Sequence, residues 1–150
     1  MGGRFVKKRI DDTQSFLTLG ALMLAIGSAA CGSNSSPTSP TPTAPTLSQI
    51  QSQIFDSACV TCHTDVGRVP AASLNLRPGA SFPNLVNVQS TGKPGAIRVR
   101  PGDANGSYLV QKLEGAADIV GARMPRNAAP LSDAQVKMIR DWINAGAPNN

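Results

Sequence analysis

Cys59-Val60-Thr61-Cys62-His63 is the stretch that decides how the rest of this 150-residue chain is read. Two thiols three positions apart, with an imidazole directly after the second, form the C-x-x-C-H pattern of covalent haem attachment. On a helical turn, residues i, i+3 and i+4 share one face, so the thiols and the imidazole point the same way. Both sulfurs can then bond the vinyl positions of one haem c while His63 reaches the iron. A C-x-x-C alone would leave redox dithiol, half a zinc site and haem undecided. The histidine favours haem.

Three other readings compete. A thioredoxin-like dithiol needs a strand before the motif and a βαβ pattern around it; here an amphipathic helical pattern precedes it. A zinc site needs four N/S ligands, and the chain has one His and three Cys. A disulfide across two residues is strained and closes a trivial loop.

Residues 1–30 read as an export signal. Arg4, Lys7, Lys8 and Arg9 form its positive segment, residues 16–26 (FLTLGALMLAI) its apolar segment, and Ser28-Ala29-Ala30 the small residues of a cleavage site. Even extended to Ala30, the apolar stretch is short for a bilayer span. Cys31 follows, then a Ser/Pro/Thr tract over 32–46 (GSNSSPTSPTPTAPT). Such a tract buries little apolar area and is held extended by its prolines, so 31–46 reads as a tether. Small residues, then Cys31, then a polar spacer resemble the lipobox of bacterial lipoproteins. That resemblance implies cleavage before Cys31 and a lipid anchor on its thiol, with Ser28 where those proteins usually carry a branched apolar residue. The alternative is ordinary cleavage that leaves Cys31 as a free thiol.

The formal net charge is +5. Residues 1–30 hold four of the basic residues and Asp11 and Asp12, which leaves ten Lys/Arg against seven Asp/Glu. With no basic run and no aromatic stacking set, nucleic acid is not an indicated partner. The folded unit is 47–150, without internal repeats.

Within it, Ser48 and Gln51 make a capping-box pattern, and Ile50, Ile54, Phe55, Ala58 and Cys62 fall at helical spacing. After His63 the chain turns irregular, with Gly67 and Pro70 as breakers. Leu74 and Leu76 alternate with polar neighbours, and Phe82, Leu85 and Val86 predict a short helix or turn near Pro83. Over 90–102, Ile97 and Val99 face away from Arg98 and Arg100 if the segment is extended. A helix is predicted over 103–115, capped by Asn105 or Ser107, with Tyr108, Leu109 and Leu113 inward and Gly115 ending it. The last helix has a Ser132/Gln135 capping box, a Leu131/Val136 staple, a buried face of Val136, Ile139, Trp142 and Ile143, and a stop at Gly146. No strand-rich pattern occurs. The class is all-α.

Aromatic residues are only 4% of the chain, which is physically sensible if a haem fills the core. The haem-free domain is then expected to be unfolded or molten. His63 is the only histidine, so a second axial ligand must come from elsewhere, and methionine thioether is the usual choice. Met138 falls mid-helix, where methionine is a packing residue. Met124 lies in a Gly/Ala/Pro-rich loop before Pro125 and is the expected distal ligand. Two strong axial ligands leave no substrate position, which predicts one-electron transfer and no enzyme activity. Without Met124, a five-coordinate haem for gas sensing or peroxidase-like chemistry is the alternative. Arg98 and Arg100 read as solvated charges, with haem propionates as their other partner. Tyr108 and Trp142 read as core. The Pro70 carbonyl is placed to accept the Nδ1–H of His63.

Together these motifs resemble a class I monohaem cytochrome c domain over residues 47–147. The wording LNL, RVRPGDANGSYLVQKLEG, ARMP and PLSDAQVKMIRDWINAGA resembles more closely a bacterial branch of small exported c-type domains. The resemblance implies a cytochrome c-like fold, with helices packed around one covalent haem and the N- and C-terminal helices crossing. It also implies a Phe55–Trp142 contact and makes the methionine of the Met-Pro pair, Met124, the distal iron ligand. Expected partners are transient redox proteins and, through Cys31, a membrane outside the cytoplasm, periplasmic or otherwise extracytoplasmic. Where the family commonly has a small residue eight positions before the first haem cysteine, this chain has Gln51; a wider helix crossing, or one using Ser52, follows. A binding lipoprotein without haem is the remaining rival.

Overall fold

The computed structural model describes residues 43–67 and 70–150. The export signal and Cys31 lie outside the described residues. Among the described residues the domain is all-α and helix-packed, with no β-sheet; pairing is confined to the isolated bridges Val86–Val99, Gln89–Ile97 and Arg100–Asp103.

The first helix, α1, is built of three contiguous pieces: Leu47–Ile50, the π-helical Gln51–Phe55, and Asp56–Ala58. Its cap is not the expected one. Thr46, in extended backbone, accepts from the Gln49 amide at 3.1 Å, while the Gln49 side chain accepts from the Thr46 amide at 2.9 Å. Ser48 instead sits inside the helix and donates its hydroxyl to the Asn150 carbonyl at 2.8 Å. The two overlapping S/T-x-x-Q patterns are resolved by burial, because Leu47 must be helical to join Ile50 in the core. Asn150 satisfies two first-turn amides: Leu47 donates to its Oδ1 and Ser48 to its carbonyl, each at 2.9 Å.

Gln51 explains the widened turn that follows. Its side chain is buried and fully used, donating to Asp56 Oδ1 at 2.7 Å and the Leu76 carbonyl at 2.8 Å, and accepting from Ser81 at 2.7 Å. The Asp56 amide bonds back to the Gln51 carbonyl in the i→i+5 pattern that defines a π-turn. Gln51, standing where a small residue was the expected pattern, is thus a polar anchor for the 75–81 segment.

Helix α2, Ser81–Leu85, places Pro83 in its first turn, where a missing amide costs no helical bond. Helix α3, Tyr108–Glu114, starts later than the 103–115 pattern predicts. Asp103 spends its carbonyl on the Ser107 hydroxyl and its carboxylate on the Gly106 amide, both at 2.7 Å, closing a turn in place of a first helical turn. Gly115 ends α3 in the left-handed region at φ 73°. There a Cβ would stand 3.0 Å from Cδ of Arg123. Helix α4, Asp133–Asn144, follows its sequence signals throughout: the Ser132/Gln135 box is formed, Leu131 is buried, and Val136, Ile139, Trp142 and Ile143 are its buried face.

The core is one cluster joining Ile50, Ile54 and Phe55 of α1 to Leu85, Val99, Val110 and Leu113, and to the buried face of α4. Helix α4 contacts both α1 and α3. Phe55 and Trp142 both lie in this cluster, and the indole Nε1–H is satisfied by the Pro148 carbonyl at 2.9 Å. Tyr108 is buried as expected.

Candidate functional site

Helix α1 ends at Ala58, and the C-x-x-C-H stretch leaves it as a hydrogen-bonded turn rather than as continued helix. The Cys59 amide still bonds the Phe55 carbonyl at 3.0 Å, and the amides of Cys62 and His63 both return to the Cys59 carbonyl, at 3.1 and 3.0 Å. That single turn places the three residues within one backbone loop of the chain. Cys59 is half-buried against the core, and burial pushes its thiol up to about 11. Cys62 is exposed, and the two thiols are not joined to each other.

His63 is fixed by the backbone on both sides. Its carbonyl accepts from Leu76 at 2.9 Å, and its Nδ1 lies 3.0 Å from the Ala71 carbonyl. The expected partner was Pro70, one residue earlier. The Pro70 carbonyl is instead taken by the Ser73 amide at 3.0 Å, closing the short 3-10 turn Ala71–Ser73. Burial holds the imidazole below its usual pKa, and the nearby Arg98 charge acts in the same direction; the Ala71 and Leu74 backbone groups oppose them. A neutral ring with Nδ1–H on a carbonyl leaves the Nε2 lone pair for a metal.

The turn that carries Ala71 is strained. Ala72 and Ser73 adopt φ of 54° and 50°, in the left-handed region that side chains disfavour. What holds them is Arg98, and here the expected solvated charge is corrected. Arg98 is only 6% exposed. Its guanidinium donates to the carbonyls of Asn84 at 2.8 Å, Ala72 at 2.9 Å and Ser73 at 3.3 Å. Thr91 adds a bond to the Ala72 carbonyl at 2.7 Å. Arg98 forms none of the ion pairs among the described residues. Arg100, by contrast, is exposed. Alternation along 97–100 gave no sign that Arg98 turns inward, because its acceptors are backbone carbonyls 14 to 26 residues away.

Met124 and Met138 both rest half-buried on the core cluster. Exposure therefore does not separate them, but their settings differ. Met138 lies within α4. Met124 lies in the loop after α3, joined to Pro125 by a cis peptide, and its amide donates to the Lys112 carbonyl at 2.8 Å.

Among the described residues no three His, Cys, Asp or Glu side chains come together as a metal-holding group. Haem c does not require one, since its cysteines bond to carbon and its iron takes a histidine. The donor set present, two free thiols and an imidazole with a committed Nδ1, fits that group. Cys59, Val60, Leu74, Leu109 and Met124 are among the apolar side chains that stay partly buried against the core. No protein-family model, no curated protein and no solved structure matches the chain.

Proposed function

We propose that this domain is a monohaem c-type cytochrome that carries single electrons outside the cytoplasm. The observation that carries the reading is the turn 59–63, in which the Ala71 carbonyl commits Nδ1 of the only histidine. Cys59 and Cys62 would hold haem c by thioethers, His63 would bind the iron on one side, and Met124 on the other. When bound, the haem supplies a reversible Fe(II)/Fe(III) couple. The chain's own part is to fix the His63 ring plane, to cover one haem face with apolar side chains, and to keep water from the iron with a thioether. Nothing is transferred but an electron, so the role is that of a carrier between redox proteins. The fold is read as cytochrome c-like, with α1 and α4 as the crossing terminal pair. Lipid attachment at Cys31 and a tether over 31–46 would keep the domain beside a membrane.

The test is expression of the full chain with a haem-attachment system. A covalent haem that survives acid extraction, and an absorbance shoulder at about 695 nm in the oxidised protein that disappears in Met124→Ala, are expected. Colourless purified protein would end the haem reading. Tight CO binding by the reduced wild type would replace the carrier with a five-coordinate haem domain.

A further inference from the structure

The loop over 116–124 is mostly exposed, with residues 117, 118 and 120–123 all open to solvent. Burial therefore cannot be what sets its path. Polar ties do so instead: Lys93 Nζ donates to the Asp118 carbonyl at 3.0 Å and pairs with its carboxylate at 2.6 Å, and the remaining ties run to α3, with Lys112 at their centre. Its Nζ donates to the carbonyls of Val120, at 2.9 Å, and Ala122, while its own carbonyl receives the Met124 amide at 2.8 Å. Tyr108 Oη accepts from the Val120 amide at 3.0 Å, and Arg123 Nε donates to the Leu113 carbonyl at 2.6 Å. Lys112 forms none of the ion pairs among the described residues. Its charge is directed at two loop carbonyls, both on the segment that leads to Met124.

We propose that Lys112 is a positioning residue that holds the 116–124 loop closed and so presents Met124 to the iron. The inference rests on the reading of Met124 as the distal ligand. An ammonium with three donors can bind two carbonyls on one loop at once. Bonds to charged donors are stronger than neutral ones, so removing them lowers the cost of opening the loop. An outside ligand gains access to the iron only in the open form, and its apparent affinity follows the population of that form.

Imidazole binding to the oxidised holoprotein is therefore the measurement, with wild type, Lys112→Leu and Lys112→Arg compared. Lys112→Leu is expected to bind imidazole roughly tenfold more tightly, with unchanged haem content and far-UV ellipticity. Lys112→Arg should recover most of the wild-type resistance. Equal imidazole affinity in wild type and Lys112→Leu would overturn the proposal. Hydrogen exchange gives an independent arm: the Val120 and Met124 amides of wild type should be protected like those of α3, and roughly tenfold less so in Lys112→Leu. Should Lys112→Leu fail to accumulate, unprotected Val120 and Met124 amides in wild type would still overturn the tie. A wild type lacking the shoulder at about 695 nm would defeat the Met124 reading instead, and exchange at Val120 would then decide the role of Lys112 alone.

Discussion

A guanidinium taken out of water without a carboxylate partner is costly, and proteins keep one only where its hydrogen bonds are used. Arg98 uses them on three carbonyls, two of which belong to the left-handed residues Ala72 and Ser73. These residues adjoin Ala71, whose carbonyl orients His63. Arg98→Gln keeps a polar tip but loses both the charge and the fork. With charged bonds worth about 1.5–3 kcal/mol each and partial repair by water, the loss should be about 3 kcal/mol in urea unfolding. Arg98→Lys keeps a point charge without the planar geometry, and should fall between. A change below about 0.5 kcal/mol in Arg98→Gln would mean that the 72–73 turn holds itself.

At the scale of elements, the first helix offers a direct comparison of two caps. Thr46→Ala removes the hydroxyl that accepts from the Gln49 amide, and should cost about 1 kcal/mol. Ser48→Ala removes a hydroxyl inside the helix that donates to Asn150, and should cost about half as much. Thermal or urea unfolding of both variants checks the order, and a larger loss for Ser48→Ala would restore the later start. The same comparison explains what was legible beforehand. Helix α4 could be read in full because its cap, its staple and its buried face are local and agree. The start of α1 was misplaced at Ser48 because two capping patterns overlap there, and the burial of Leu47 selects Thr46. The π-turn was hidden because it depends on Gln51 reaching Leu76 and Ser81, which are remote in sequence. In the candidate site, the thiols and imidazole are proposed from their spacing alone. Arg98 and Lys112 were not legible, since backbone carbonyls contribute no letter to a motif.

The whole domain raises the question of what makes so few helical turns cooperate. Helices α2 and α3 have 5 and 7 residues, well short of the roughly 12–15 that sustain an isolated helix in water. The stretches between helices are long and irregular, and the folded unit has four aromatic residues, Phe55, Phe82, Tyr108 and Trp142. Its apolar cluster is continuous, yet Val60, Leu74, Phe82, Val86, Leu109 and both Met124 and Met138 remain only partly covered. On the reading proposed here, a porphyrin adds a large apolar body against such side chains, and each 100 Å² so buried stabilises by about 2.5 kcal/mol. The covalent link also makes the contribution independent of free haem concentration. A Cys59→Ala/Cys62→Ala variant, which cannot bond the group covalently, should, when prepared without haem, lose near-UV ellipticity, keep only part of its far-UV signal, and melt without a sharp transition. Helix α4, with its complete cap, should be the last to lose amide protection, because its order depends least on distant partners. If the variant instead melts cooperatively with the ellipticity of the holoprotein, the polypeptide cluster is sufficient by itself. The covalent link would then serve to retain the haem rather than to stabilise the fold.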